Sequence, residues 1–224
     1  PSRCDAAVSE SVREWVSSAL KIDGKKVRTV YNGVKIEEIT KRDMEKVSSL
    51  RKKYGGEGVV LITSTGRLNG EKGVDVLIRA AKILAAQGLN IRVVIAGEGA
   101  ERENLSRLIA SLGLEGRVFL PGYRADVYDL LAASDIFALP SFREGHSMSL
   151  VEAMAAGLPA IAGDLDANRE VLGEHGCYFR CGDEQSLAGA LQNVIDDAAL
   201  RENLGSLSKE RAALFSFERM MREY

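Results

Sequence analysis

The sequence predicts an α/β protein built on a doubly wound parallel sheet. Two observations carry this expectation. From residue 58 onward, short apolar runs alternate with amphipathic stretches. The runs are continuous rather than alternating in polarity, so each strand must be covered on both faces, as in a parallel sheet with right-handed helical crossovers.

The elements follow in order. GVVLITSTG (58–66) reads as a buried strand ending in glycine, and VDVLIRAAKILAAQG (74–88) as a helix with Leu77, Ala81 and Leu84 on one face. IRVVIAG (91–97) is the next strand, and ERENLSRLIASLG (101–113) a helix closed by Gly113. RVFLPG (117–122), DIFALPS (135–141), LPAIAG (158–163) and GCYFR (176–180) continue the strands, with VYDLLAASD (127–135) and SLVEAMAAG (149–157) as helices between them. The result is a Rossmann-like domain, which places ligands at the carboxyl ends of its strands where the strand order reverses. The loops to search follow Ser64, Ile95, Leu120 and Leu139. Toward the N-terminus, CDAAVSES (4–11) reads as a strand entering a capped helix, and VRTVYNGV (27–34) as a strand ending in an Asn-Gly turn. Residues 36–57 are polar and predict one helix, roughly 40–53, with a Gly55-Gly56 exit. From residue 184 the chain is helical.

Composition narrows the function. The chain has 224 residues, with 46% hydrophobic and 28% charged, and 30 Lys+Arg balance 32 Asp+Glu to a net of −2. No chain-wide basic field exists to attract nucleic acid. No apolar run approaches the ~18 residues of a membrane span, and no signal peptide opens the chain. The three cysteines, Cys4, Cys177 and Cys181, form neither a disulfide framework nor a zinc pattern, which points to a reducing, cytoplasmic compartment.

Three stretches could carry chemistry. In TSTGRLNGEKG (63–73), Gly66, Gly70 and Gly73 surround Arg67 and Lys72 between a strand and a helix. Two cations across a turn could converge on one diphosphate, with free amides helping; an ordinary surface turn with two solvated charges is the alternative. The spacing is not that of a Walker loop. AGEGAER (96–102) carries only two glycines of the dinucleotide fingerprint, Gly97 and Gly99, with Arg102 in the third position. It allows close approach of a ligand, or is simply a structural turn. The third stretch, SFREGHSMSLVEAMAAGLP (141–159), is the most specific. Glu144 precedes Gly145, and Ser147 or Ser149 can cap a helix that carries Glu152 among Leu150, Val151, Ala153, Met154 and Ala155. A carboxylate in so apolar a helix needs a partner, and a pair of sugar hydroxyls would supply it.

The succession GRLxxxKG, AGxG, RVFLPG and DIFALPSxxEG-x6-EAMAxGxP resembles the retaining glycosyltransferase family of the glycogen-synthase and sucrose-synthase type (glycosyl transferases group 1). The resemblance implies the C-terminal, donor-binding lobe of a two-lobed (type B) enzyme. Residues 1–35 would be the exit segment of the N-terminal lobe and the hinge, 36–215 the nucleotide-sugar lobe, and 216–224 the start of a crossover helix. It also implies roles. Arg67 and Lys72 resemble the pair that binds the donor diphosphate, with Gly66, Gly97 and Gly99 near it. Glu152 is similar to the acid that bonds the ribose hydroxyls, and Glu144 to the acid near the donor sugar. Backbone amides over Gly145, His146, Ser147 and Met148 would hold sugar or phosphate, and residues 118–120, including Phe119 and Leu120, would lie along the nucleobase, largely through the main chain. The family implies no metal and no cofactor beyond the nucleoside diphosphate sugar itself. The acceptor, whether carbohydrate, lipid-linked or small, would bind an N-terminal lobe that 224 residues are too few to include. The full protein is expected in the cytoplasm or peripherally at the inner face of a membrane, and the fragment alone is expected to transfer nothing.

Two departures stand out. Lys35 follows Val34 where the family has an acid, and His146 lies where it is usually apolar or variable. His146 reads as a packing or hydrogen-bonding residue, with contact to the donor as the alternative, and His175 reads as an ordinary loop residue. Two other functions compete: a nucleotide-sugar epimerase of the same fold, and a non-catalytic domain that binds nucleotide or phosphate. A phosphate-sensing receiver domain would need an acidic cluster at the strand ends, where Gly66, Gly97, Gly122 and Pro140 stand instead.

Overall fold

A computed structural model of the chain describes residues 5–174 and 176–224, so Cys4 and His175 lie outside it. A short first unit holds β1 (Asp5–Ala7), α1 (Glu10–Leu20) and β2 (Val27–Thr29), with β1 and β2 pairing in parallel. Two helices, α2 (Ile36–Thr40) and α3 (Met44–Tyr54), lead into the main sheet. There β3 (Val60–Thr65), α4 (Val74–Ala86), β4 (Ile91–Ala96), α5 (Arg102–Ser111) and β5 (Val118–Gly122) wind in one direction. The other direction is taken by α6 (Val127–Ala132), β6 (Ile136–Leu139), α7 (Met148–Ala155), β7 (Ala160–Gly163), α8 (Asp166–Leu172) and β8 (Cys177–Phe179). Helices α9 (Glu184–Asp196), α10 (Ala198–Ala212) and α11 (Phe217–Glu223) close the chain.

The six strands β3 to β8 form one parallel sheet in the order β5-β4-β3-β6-β7-β8. The order reverses between β3 and β6, where Ile62 pairs with Ile136 and Thr63 with Phe137. A crevice must open there at the carboxyl ends, because the connections leave to opposite sides.

The continuous apolar runs have the reason the sequence suggests. Ile136 and Ala138 of β6 face a core shared with Leu77, Leu84 and Leu191, while Phe137 and Leu139 face a second core with Leu150, Met154 and Phe215. Leu77 and Leu84 are fully buried, each contributing about 2 kcal/mol of transfer free energy.

Two local expectations need correction. Residues 36–57 hold two helices, because the Asp43 carboxylate accepts from the backbone N–H groups of Glu45 and Lys46, both at 3.2 Å, and so starts a new helix. Asn32-Gly33 forms no turn at the end of a strand. The chain continues to a single bridge between Val34 and Ser216, and a Cβ on Gly33 would lie 2.5 Å from the Ser216 carbonyl oxygen. The glycine permits two chain segments to cross, a tertiary demand that the dipeptide does not announce.

Candidate functional site

A cleft of about 920 Å³ opens over the carboxyl ends of β3, β4 and β6, between the first turn of α7 and the loop that follows β5. It is built from three loops that the sheet brings together. The loop after β3 carries Gly66 and Arg67, and its Leu68 is buried. Leu68 is tied to the next loop twice: its amide donates to the Glu98 carbonyl at 2.8 Å, and its carbonyl accepts from the Glu101 amide at 3.0 Å. A Cβ on Gly97 would lie 1.8 Å from the Gly66 carbonyl oxygen, and one on Gly99 would lie 2.1 Å from that of Leu68. The glycines of AGEG therefore let two loops touch. Gly97 also lines the cleft, whereas Gly99 does not reach its wall.

Lys72 ends a short helical turn, Gly70–Lys72, and Gly73 follows in the left-handed region at φ 57°. A Cβ there would lie 2.2 Å from the Pro140 carbonyl oxygen, so the loops after β3 and β6 also meet without a side chain between them. That contact sets Lys72 beside Glu144, with Nζ to Oε1 at 2.6 Å. The Arg67 side chain makes no hydrogen bond or ion pair to any described residue, and Arg67 lines the cleft.

On α7, Ser147 is the N-cap, accepting from the Leu150 amide at 3.4 Å. Glu152 falls one turn later, facing the cleft rather than the core that takes Leu150, Val151 and Met154. Its partner is Tyr128 of α6, whose hydroxyl donates to Oε1 at 3.4 Å. Burial raises the Glu152 pKa above the usual carboxylate value, and the Tyr128 bond only partly offsets this. Burial likewise raises the pKa of Tyr128.

His146 lines the cleft from its other side and packs against Tyr31 and Phe215, with ring centroids 5.6 and 5.4 Å away. Its Nε2 lies 3.1 Å from the Asn32 carbonyl, which only accepts, so Nε2 carries the proton. Burial lowers the pKa of the imidazole, leaving a neutral ring whose Nδ1 is buried without a partner. Two further buried oxygens on the cleft wall lack partners, Thr65 Oγ1 and Asn69 Oδ1.

Gly66, Arg67, Lys72, Gly97, Glu144, His146, Ser147, Met148 and Glu152 thus share one cleft. Gly99, Phe119, Leu120 and Gly145 do not line it. Phe119 packs edge-on against Tyr54, with centroids 5.3 Å apart. The Leu120 carbonyl is occupied by Arg102 Nη2 at 2.8 Å. Gly145 faces α1, where a Cβ would sit 3.4 Å from Val12. In place of Phe119 and Leu120, the residues just after β5 reach the wall: Tyr123, Arg124 and Ala125. Sequence reasoning missed Arg124 and Tyr128. Arg124 stands in one of the loops marked for search, but its pairing with Asp126, at 2.8 and 2.5 Å, needed coordinates. Among the described residues, no group of three His, Cys, Asp or Glu could hold a metal ion, and no helix is long and apolar enough to cross a membrane.

Comparisons with known proteins agree with this geometry. Residues 47–211 match the family described as glycosyl transferases group 1. The chain is 30% identical over 223 residues to N-acetyl-alpha-D-glucosaminyl L-malate synthase of Bacillus anthracis, covering 97% of this chain and 57% of that protein. It is 31% identical over 205 residues to a Campylobacter jejuni N-acetylgalactosaminyltransferase named for a diphospho-undecaprenol substrate, covering 90% and 53%. The chain spans about half the length of these curated relatives. Among solved structures, Anabaena HepE in complex with UDP-glucose superposes with a TM-score of 0.90 at 25% identity, over 99% of this chain and 62% of that one. The fold is that of one lobe of a type B glycosyltransferase. With a family match across most of its length, the chain belongs to the glycosyl transferases group 1 family.

Proposed function

We propose that this chain is the donor-binding half of a retaining glycosyltransferase, one that moves a sugar from a nucleoside diphosphate sugar to an acceptor hydroxyl. The observation that carries the reading is the state of the charges in the cleft. An unpaired guanidinium, an ammonium and two partly buried carboxylates line one volume, and several of their hydrogen-bonding positions are unused. Polar groups left short of partners in a folded protein are a cost that a polar ligand relieves.

In this reading Arg67 and Lys72 hold the diphosphate, and their charge stabilises the negative charge that develops as it leaves. Glu152 accepts from the ribose hydroxyls, and Glu144 from hydroxyls of the donor sugar. Backbone amides over 146–148 complete the cradle. No metal or cofactor is assigned, because two cations and these amides suffice to neutralise the leaving group. The Anabaena neighbour bound to UDP-glucose makes a uridine donor the first to test. The acceptor would bind the part of the protein that lies outside this chain. The Campylobacter relative's name favours a lipid-linked one, and with it a place at the cytoplasmic face of a membrane. Retention rests on the resemblance of the Glu144–Glu152 element.

Calorimetric titration with UDP, GDP and ADP sugars tests the reading. The wild-type chain should bind one series, and Arg67→Ala with Lys72→Ala should abolish that binding. Equal binding by wild type and double variant would overturn it. Anomer analysis of the product of the full-length enzyme tests retention, and an inverted product would refute it.

A further inference from the structure

The cations of the cleft are unequally compensated. Arg124 is neutralised by a two-point contact with Asp126, and Arg67 has no partner among the described residues. Lys72 is held at 2.6 Å by Glu144, whose side chain is only 7% exposed while that of Lys72 is 25% exposed. Among the described residues the Glu144 carboxylate has no other polar side-chain contact, so its buried charge depends on Lys72 alone. A diphosphate drawing Lys72 toward itself would leave this carboxylate uncompensated and next to a second anion. Both consequences are unfavourable in a partly desolvated site.

We propose that Glu144 is an exchangeable counter-ion of Lys72, and that the pair makes the cleft favour the sugar donor over the bare nucleoside diphosphate. This rests on the donor reading above. When a nucleotide sugar binds, Lys72 turns to the diphosphate and hydroxyls of the sugar replace it as donors to Glu144. Both charges then remain satisfied. Once the sugar has been transferred, those hydroxyls leave. Glu144 takes Lys72 back, and the hold on the diphosphate weakens. Glu144 thus acts on the nucleotide through Lys72, as a positioning residue for product release, in addition to its contact with the sugar.

The test uses the 224-residue chain with UDP and UDP-glucose as probes, measured by calorimetry at fixed salt. Glu144→Gln keeps the shape and removes the charge. UDP should bind this variant about tenfold more tightly than wild type, because Lys72 is no longer claimed. The ratio of UDP-glucose to UDP affinity should fall by a similar factor or more. In a Lys72→Met background the same Glu144→Gln change should bring no more than about a twofold gain. Thermal unfolding of each variant establishes that it is folded. As a second readout, rising salt should weaken UDP binding to the wild type less steeply than to Glu144→Gln, since part of the Lys72 charge is already neutralised. Unchanged or weaker UDP binding by Glu144→Gln would overturn the proposal while leaving the donor reading intact. So would a gain that persists without Lys72. If wild type binds no nucleotide at all, the donor reading falls, and this proposal with it.

Discussion

The two ends of the central sheet use the same residue types to opposite effect. At the amino end, Asp135 accepts from the Leu61 amide at 2.7 Å and from Arg51 at 2.6 Å. Arg51 also donates to the carbonyls of Val59 and Ala133, at 2.8 and 3.2 Å. At the carboxyl end, the Arg67 side chain bonds to no described residue, the Glu152 carboxylate has one long bond to Tyr128, and Thr65, Asn69 and His146 each leave a buried polar atom unused. The guanidinium at the amino end is part of the fold, since every partner it needs is in the chain. The one at the carboxyl end has no side-chain partner among the described residues. In the proposed reading, completeness of hydrogen bonding, rather than residue type, separates structural from ligand-binding polar groups.

Mutations can break that comparison, starting with its most satisfied member. Asp135→Ala strands the Leu61 amide and Arg51 together and should cost about 3 kcal/mol in urea unfolding. UDP affinity should not change; a loss of binding with stability intact would reverse the assignment of the two ends. Arg67→Ala should do the opposite. Its UDP affinity should fall about 30-fold, equivalent to about 2 kcal/mol, with stability within about 0.5 kcal/mol of wild type.

Glu152→Gln sharpens the contrast within the cleft itself. Burial raises the folded-state pKa above its ordinary value of 4.5. The contribution of Glu152 to stability is therefore fully present below pH 4.5 and is lost as the pH rises through the raised value. The glutamine, which never ionises, should be more stable than wild type at pH 7 by about 1 kcal/mol while binding nucleotide less well. A variant that is both less stable and fully able to bind would show that the carboxylate belongs to the fold.

The smallest effect concerns His146. Its pKa is lowered by burial from 6.5, so its contribution to stability is present above pH 6.5 and is lost as the pH falls through the lowered value. His146→Phe keeps the ring among Tyr31 and Phe215 but cannot be protonated. Its melting temperature should start below that of wild type at pH 7.5, for want of the Asn32 bond, and the gap should narrow toward pH 5.5. A constant gap would mean that the imidazole takes up its proton equally in the folded and unfolded chain, so that burial does not lower its pKa.

Periodicity and spacing were enough to read the alternating elements of the sheet, because covered parallel strands must be apolar on both faces. They also marked the loops that line the cleft, with Arg67, Lys72 and Glu144 in them and Glu152 in the apolar helix that follows. What escaped was decided by contacts between segments distant in the chain. Asn32-Gly33 looks like a turn and is a crossing, because Ser216 arrives from the far end of the sequence. Phe119 and Leu120 look available and are covered, by Tyr54 and by Arg102. The pairing of Lys72 with Glu144 joins residues 72 positions apart. Local sequence thus determined which elements form and which charges sit at their ends. Only the packed sheet decided which of those charges find partners within the chain, because that depends on which loops it sets side by side.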